Sequence, residues 1–233
     1  MSLFAIADVH LSLGANKPMD VFPGWADYVV RLERHWRELV AAEDTVVIAG
    51  DISWAMKLEE SRADFAFLHA LPGRKLIFKG NHDLWWTTLR KMEAFIAQNG
   101  FDSISFVHNN ATLADGIAVC GTRGWFFDDA LSDHKVVLRE AGRLERSIEA
   151  AKRLGGEVVA FLHYPPVYGG QRCDEIMEVL HRHSVRRCFY GHIHGAGRRL
   201  AQQGMVEGIE MRLIACDALD FAPVRVEKCP ERG

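Results

Sequence analysis

Five short apolar runs, Leu3 to Val9, Thr45 to Ile52, Lys75 to Lys79, Val158 to His163 and Arg187 to Tyr190, each lead into Asp, His or Asn. Runs of this length bounded by polar residues predict buried strands. Between them stand segments of helical period. Trp25, Tyr28, Val29, Leu32, Trp36, Leu39 and Val40 recur at steps of three and four, as do Val137, Ala141, Leu144, Ile148, Ala151 and Leu154, with Gly155 as a stop. A third helix is expected from about Leu84 to Asn99, closed by Gly100. Alternation of strand and helix in the first half predicts βαβ units and a largely parallel sheet. From Ser103 to Gly121 and from Met205 to Glu227, strand-like pieces separated by Gly or Asp turns predict hairpins or a second sheet. A two-sheet α/β sandwich accommodates both halves. In open α/β sheets, polar residues past the carboxyl ends of the strands gather in one crevice.

Without a repeat or a linker-like stretch, residues 1–233 are expected to form one domain. The 28 basic and 31 acidic residues give a net charge of -3, which offers no global field for nucleic acid or an anionic membrane. The five cysteines share no C-x-x-C spacing, so reduced thiols are expected. No signal peptide or membrane-length apolar run is present, and a cytoplasmic location is expected.

The strand ends carry Asp8-Val9-His10, Gly50-Asp51, Gly80-Asn81-His82-Asp83, His163-Tyr164 and Gly191-His192-Ile193-His194. Carboxylate and amide oxygens with imidazole nitrogens suit Mn, Fe, Zn, Co or Ni. Seven such residues, Asp8, His10, Asp51, Asn81, His163, His192 and His194, are too many for one ion and suit two divalent ions sharing a carboxylate.

In this order the motifs resemble the signature of the calcineurin-like metallophosphoesterases, from residue 8 to residue 194, with no ligand position departing from it. The likeness extends to a bacterial phosphohydrolase subgroup through Gly50 to Met56 and Gly121 to Trp125. The resemblance implies a four-layer αββα sandwich of two mixed β-sheets, with a dinuclear metal site at the strand C-terminal ends. It implies that Asp8, His10, Asp51 and His194 hold one ion, that Asp51, Asn81, His163 and His192 hold the other, and that Asp51 bridges them.

Two ions about 3.5–4 Å apart lower the pKa of a bridging water from about 15.7 toward 7 and neutralise charge on phosphoryl oxygens. The expected activity is hydrolysis of a phosphate ester, mono- or diester and nucleotide-like, by attack of that hydroxide. His82, beside Asn81, is expected to protonate the leaving oxygen as general acid. Asp83 either orients that imidazole or caps the following helix. Trp54, Trp125 and Tyr164 stand beside strand ends as candidate substrate contacts, and Arg123 between two glycines is expected to present its guanidinium at the crevice mouth. Trp25, Trp36, Trp85 and Trp86 read as packing, and the basic stretch around His181 to Arg187 as a solvated face. The expected partner is a small phosphorylated substrate. A nuclease is disfavoured by the missing basic surface, and a non-catalytic protein-interaction scaffold by the intact ligand set.

Overall fold

The computed structural model describes residues 1–125 and 134–229. Its strands are β1 (Leu3–Ile6), β2 (Thr45–Ile48), β3 (Arg74–Ile77), β4 (Ile104–Phe106), β5 (Thr112–Ala114), β6 (Ile117–Thr122), β7 (Glu157–Leu162), β8 (Val167–Tyr168), β9 (Gln171–Arg172), β10 (Arg187–Tyr190), β11 (Gly204–Val206), β12 (Ile209–Leu213) and β13 (Val224–Arg225). The helices are α1 (Tyr28–Leu39), α2 (Arg62–Ala70), α3 (Leu89–Asn99), α4 (His134–Leu154) and α5 (Asp174–Arg182). One sheet has the order β13-β1-β2-β3-β4, the other β11-β12-β10-β7-β6-β5. In the first, β1 to β4 are parallel and β13 runs antiparallel to β1. In the second, the parallel core of β12, β10, β7 and β6 is flanked by antiparallel β11 and β5. Both sheets are therefore mixed.

Alternation of side chains along each strand divides the core into three layers. Phe4, Ile6, Val46, Ile48, Ile77 and Phe106 pack outward against Leu32 and Trp36 of α1, Phe65 and Leu68 of α2, and Met92 and Ile96 of α3. Leu3, Ala5, Val47 and Leu76 face inward and meet Ile117, Val119, Val159, Phe161 and Phe189 of the other sheet. Ala160, Leu162, Cys188 and Tyr190 face outward under Leu144 and Ile148 of α4 and Ile176 and Leu180 of α5. The result is helix, sheet, sheet, helix: the four-layer αββα sandwich.

Helix α1 begins at Tyr28, after Trp25 has already entered the core from the preceding turn. Helix α3 begins at Leu89, later than its apolar pattern suggests, because Trp85 turns back to donate its indole N–H to Asp83 at 3.0 Å. The cysteines are free. Among the described residues no helix is long and apolar enough to cross a membrane.

The sheets join at the carboxyl ends of β1 and β12. Ala7 donates its N–H to the Ile214 carbonyl at 2.8 Å, and Cys216 donates its own to the Ala7 carbonyl at 2.9 Å. The residue that leads into the Asp-x-His motif is thereby tied to the segment leaving β12.

Candidate metal centre

The loops after β1, β2 and β3 bring in Asp8, His10, Asp51 and Asn81, and those after β7 and β10 bring in His163, His192 and His194. All seven converge. Asp8, His10 and His194 form one group whose ligand atoms lie within 4.8 Å of one another, and Asp8, Asp51 and His163 form a second. His10 Nε2 and His163 Nε2 lie 3.7 and 3.6 Å from Asp51 Oδ2, so this carboxylate stands between the two groups. Asn81 Oδ1 lies 2.6 Å from His163 Nε2 and 3.0 Å from His192 Nδ1.

The backbone explains why these residue types stand where they do. Asp8, His10, Asp51 and His192 have φ of 60, 44, 52 and 71°, a conformation uncommon outside Gly, Asn and Asp and found clustered at functional sites. The adjoining glycines answer a second constraint. A Cβ on Gly80 would collide with the Asp51 carboxylate and backbone, and one on Gly191 would press on Ala7 and on Asp8 Oδ2. The carboxylates are oriented by main-chain donors: His192 N–H donates to Asp8 Oδ2 at 2.9 Å, and His82 N–H to Asp51 Oδ1 at 2.8 Å.

Burial, and then the positive imidazoles around them, push His10 and His163 well below the usual histidine range, so both are neutral. His163 Nδ1 faces the Ala49 carbonyl at 3.2 Å, where only an N–H can bind, which leaves the lone pair on Nε2. That lone pair meets the Asn81 amide oxygen, two electron-pair donors facing each other in a way a shared cation would relieve. Burial, and next the neighbouring Asp83 and Asp8 carboxylates, push Asp51 well above the usual carboxyl range. His10 Nδ1 and His194 Nε2 are buried without a hydrogen-bond partner. Crowded carboxylates, neutral imidazoles and unpartnered nitrogens are the donor set a divalent transition metal takes. The residues fit the group.

His82 is half-buried at the rim, its ring 4.4 Å from Trp54 and 5.7 Å from His10. Trp54 stacks on His10 at 4.9 Å, and Lys17 Nζ sits 3.3 Å from the Trp54 ring centroid, so the indole walls the centre on this side. Tyr164 lies 4.4 Å from His192, and Trp125 lies 6.0 Å from Tyr164, making a second aromatic wall.

Two residues stand otherwise than expected. Asp83 neither orients the His82 imidazole nor caps α3. Its buried carboxylate accepts N–H donors from Asp51 at 2.9 Å, Ile52 at 2.8 Å, Ser53 at 3.3 Å and Gly80 at 2.7 Å, besides the Trp85 indole. It clamps the loops after β2 and β3 together. Burial pushes its pKa up to about 6, but every partner is a donor, which the ionised form alone satisfies. Arg123 does not reach the crevice mouth. Its guanidinium faces the buried Glu140 carboxylate at 3.7 Å, while its carbonyl accepts the N–H groups of His163 and Tyr164 at 3.2 and 2.8 Å. Glu140, buried and also bound by Arg143 Nη1 at 2.5 Å and by the Thr122 hydroxyl at 2.6 Å, would be left with less compensation for its burial if Arg123 turned to solvent.

Asp217 and Lys17 escaped the sequence reading. Asp217 Oδ1 lies 2.8 Å from His194 Nδ1. It follows the apolar run Leu213-Ile214-Ala215-Cys216, so the strand-end rule applied once more would have found it. Lys17, in a loop without periodicity, left no such signal.

The calcineurin-like phosphoesterase family matches over residues 1–196, and the chain belongs to that family. Among solved structures, TT1561 of Thermus thermophilus is similar with a TM-score of 0.57 and 15% identity, over 90% of this chain and 86% of that one. The phosphopantetheinyl hydrolase PptH from Mycobacterium tuberculosis is similar with a TM-score of 0.53 and 14% identity, over 100% and 98% of the two chains. At such identities the likeness is one of fold. Comparison with the curated proteins found no match.

Proposed function

We propose that the chain is a dinuclear metal-dependent hydrolase of a small soluble phosphate ester. The observation that carries this reading is the pair of largely buried Asp/His groups that share Asp8, with Asp51 within 3.7 Å of both His10 and His163 and with imidazole nitrogens of His10 and His194 that make no hydrogen bond. Asp8, His10, Asp51 and His194 would hold one divalent ion, and Asp51, Asn81, His163 and His192 the other. When bound, the ions supply an activated water and neutralise charge growing on the phosphoryl oxygens. The chain's own residues do the rest. Asp51 sets the spacing between the two groups, and neutral Asn81 contributes an oxygen without repelling an anionic substrate. The Trp54 and His10 stack keeps solvent from one flank, and Tyr164 with Trp125 closes the other. His82 stands at the rim beside Trp54 and delivers the leaving oxygen's proton from its imidazole.

The test is metal analysis of the purified protein together with turnover of bis(p-nitrophenyl) phosphate, p-nitrophenyl phosphate and alkyl nucleotide esters under Mn, Co or Ni. A phosphopantetheinyl ester joins the panel because PptH is a hydrolase of that group. The expected result is two ions per chain and metal-dependent release of phosphate or phosphate monoester. No turnover with any metal would overturn the reading in favour of a scaffold. His82→Ala is expected to slow alkyl esters by about 10²–10⁴-fold and p-nitrophenyl esters far less, because only the poorer leaving group needs the proton. Equal slowing of both would remove His82 from the acid role.

A further inference from the structure

We infer that Asp217 is a positioning residue: it fixes the tautomer and ring orientation of His194 and thereby holds the ion on the Asp8–His10–His194 side. The inference rests on the dinuclear reading above, and it concerns a residue beyond the family match, which ends at residue 196. Asp217 stands on the turn Cys216–Ala218, which follows β12 and lies beside Asp8. The neighbouring Cys216 donates its thiol to the Asp8 carbonyl at 2.8 Å, so Asp217 and Asp8 are carried by segments bound to each other.

Those two carboxylates sit on opposite nitrogens of one imidazole. Asp217 Oδ1 takes His194 Nδ1 at 2.8 Å, and Asp8 Oδ1 faces His194 Nε2 at 3.4 Å. An ionised carboxylate can only accept, so Nδ1 carries the proton of the Asp217 bond, and Nε2 is the nitrogen left to face Asp8 and His10. The second oxygen of Asp217 accepts the Gly195 N–H at 2.9 Å, and its backbone carbonyl accepts Arg198 at 2.6 Å. These contacts hold the carboxylate still, as an orienting group requires. A carboxylate on the outer nitrogen of a ligating histidine raises its basicity, and loss of such a partner costs about 10–100-fold in metal affinity. His163 differs, because its Nδ1 is held by the Ala49 carbonyl. The effect is therefore one-sided.

The experiment is Mn²⁺ titration of the full chain, stripped of metal, by calorimetry and by EPR of free Mn²⁺, with the fold of each protein checked by circular dichroism. Wild type is expected to take two ions. Asp217→Ala is expected to weaken one of them about 10–100-fold and leave the other unchanged. Asp217→Asn, which keeps an acceptor oxygen, falls between the two and decides the matter if the alanine variant does not fold. In a His194→Ala background, Asp217→Ala should cost nothing more, whereas a purely structural role would still cost affinity there. Two unchanged ions in both Asp217 variants, or equal weakening of both ions, would overturn the inference while leaving the dinuclear reading intact. Wild type taking fewer than two ions would overturn that reading and this inference with it.

Discussion

Asp83 shows what a single position reveals and what it hides. Its place after Asn81-His82 marked it for the site, yet spacing along a chain does not say where a carboxylate points, and adjacency to His82 suggested the wrong partner. The four backbone N–H groups it accepts belong to the two loops that present Asp51 and Asn81. Its work is to hold the ligand loops in register, so its loss should be felt in stability first. Asp83→Asn turns an NH2 group toward donors it cannot serve, and is expected to cost about 2–4 kcal/mol in urea unfolding of the metal-free protein. If instead stability stays within about 0.5 kcal/mol while turnover of alkyl esters falls sharply, Asp83 acts on His82 and the clamp reading fails. The residue types of the candidate centre, by contrast, were legible, because apolar runs ending in Asp, His and Asn need no tertiary information to be seen.

Among the elements, the five strands that lead into the candidate centre were legible to within four residues and the helices less evenly. The long α4 announced itself by six apolar positions over five turns, whereas the nine-residue α2 shows only Phe65 and Leu68 as apolar residues on its buried face, too few to set a helical period. One lysine illustrates how β3 and α2 depend on each other. Lys75 is buried within the strand, and its Nζ donates to the Leu71 carbonyl at the end of α2, with the His69 carbonyl at 3.5 Å. A cation there answers the carbonyls left open at a helix C-terminus. Burial nonetheless disfavours the ammonium and lowers its pKa to about 8. In the unfolded chain it titrates near about 10.4, so between these values the unfolded state binds more protons and stability rises with pH. Below about 8 the lysine is charged in both states and contributes no slope. Urea unfolding at pH 7, 9 and 10 should therefore show wild type gaining on Lys75→Met across the upper interval, and parallel curves would refute the burial effect.

At the scale of the whole molecule, the candidate centre is where two sheets are fastened together. Asp8, His10, Asp51 and Asn81 come from the sheet of β1 to β3, and His163, His192 and His194 from that of β7 and β10. The parallel order of the first half followed from strand and helix alternation and the second sheet from its turn-separated pieces, but the return of β13 to pair with β1, and the Ala7 to Ala215 bridge between the sheets, depend on contacts between the two ends of the chain that no local pattern encodes. Ions bound at this junction would be ligated from both sides and would resist separation of the halves. Binding to the folded state alone at 100-fold excess over Kd adds about 2.7 kcal/mol per independent site. For a chain of this size each kcal/mol raises Tm by about 2–4 °C, so Mn²⁺ at that excess should raise the melting temperature of the metal-stripped protein by at least about 5 °C. His163→Ala removes a ligand of one sheet and His10→Ala one of the other, and both should reduce the shift. A shift lost in only one of the two variants would mean that the ions are held by a single sheet, and that the junction is secured by packing and backbone hydrogen bonds alone.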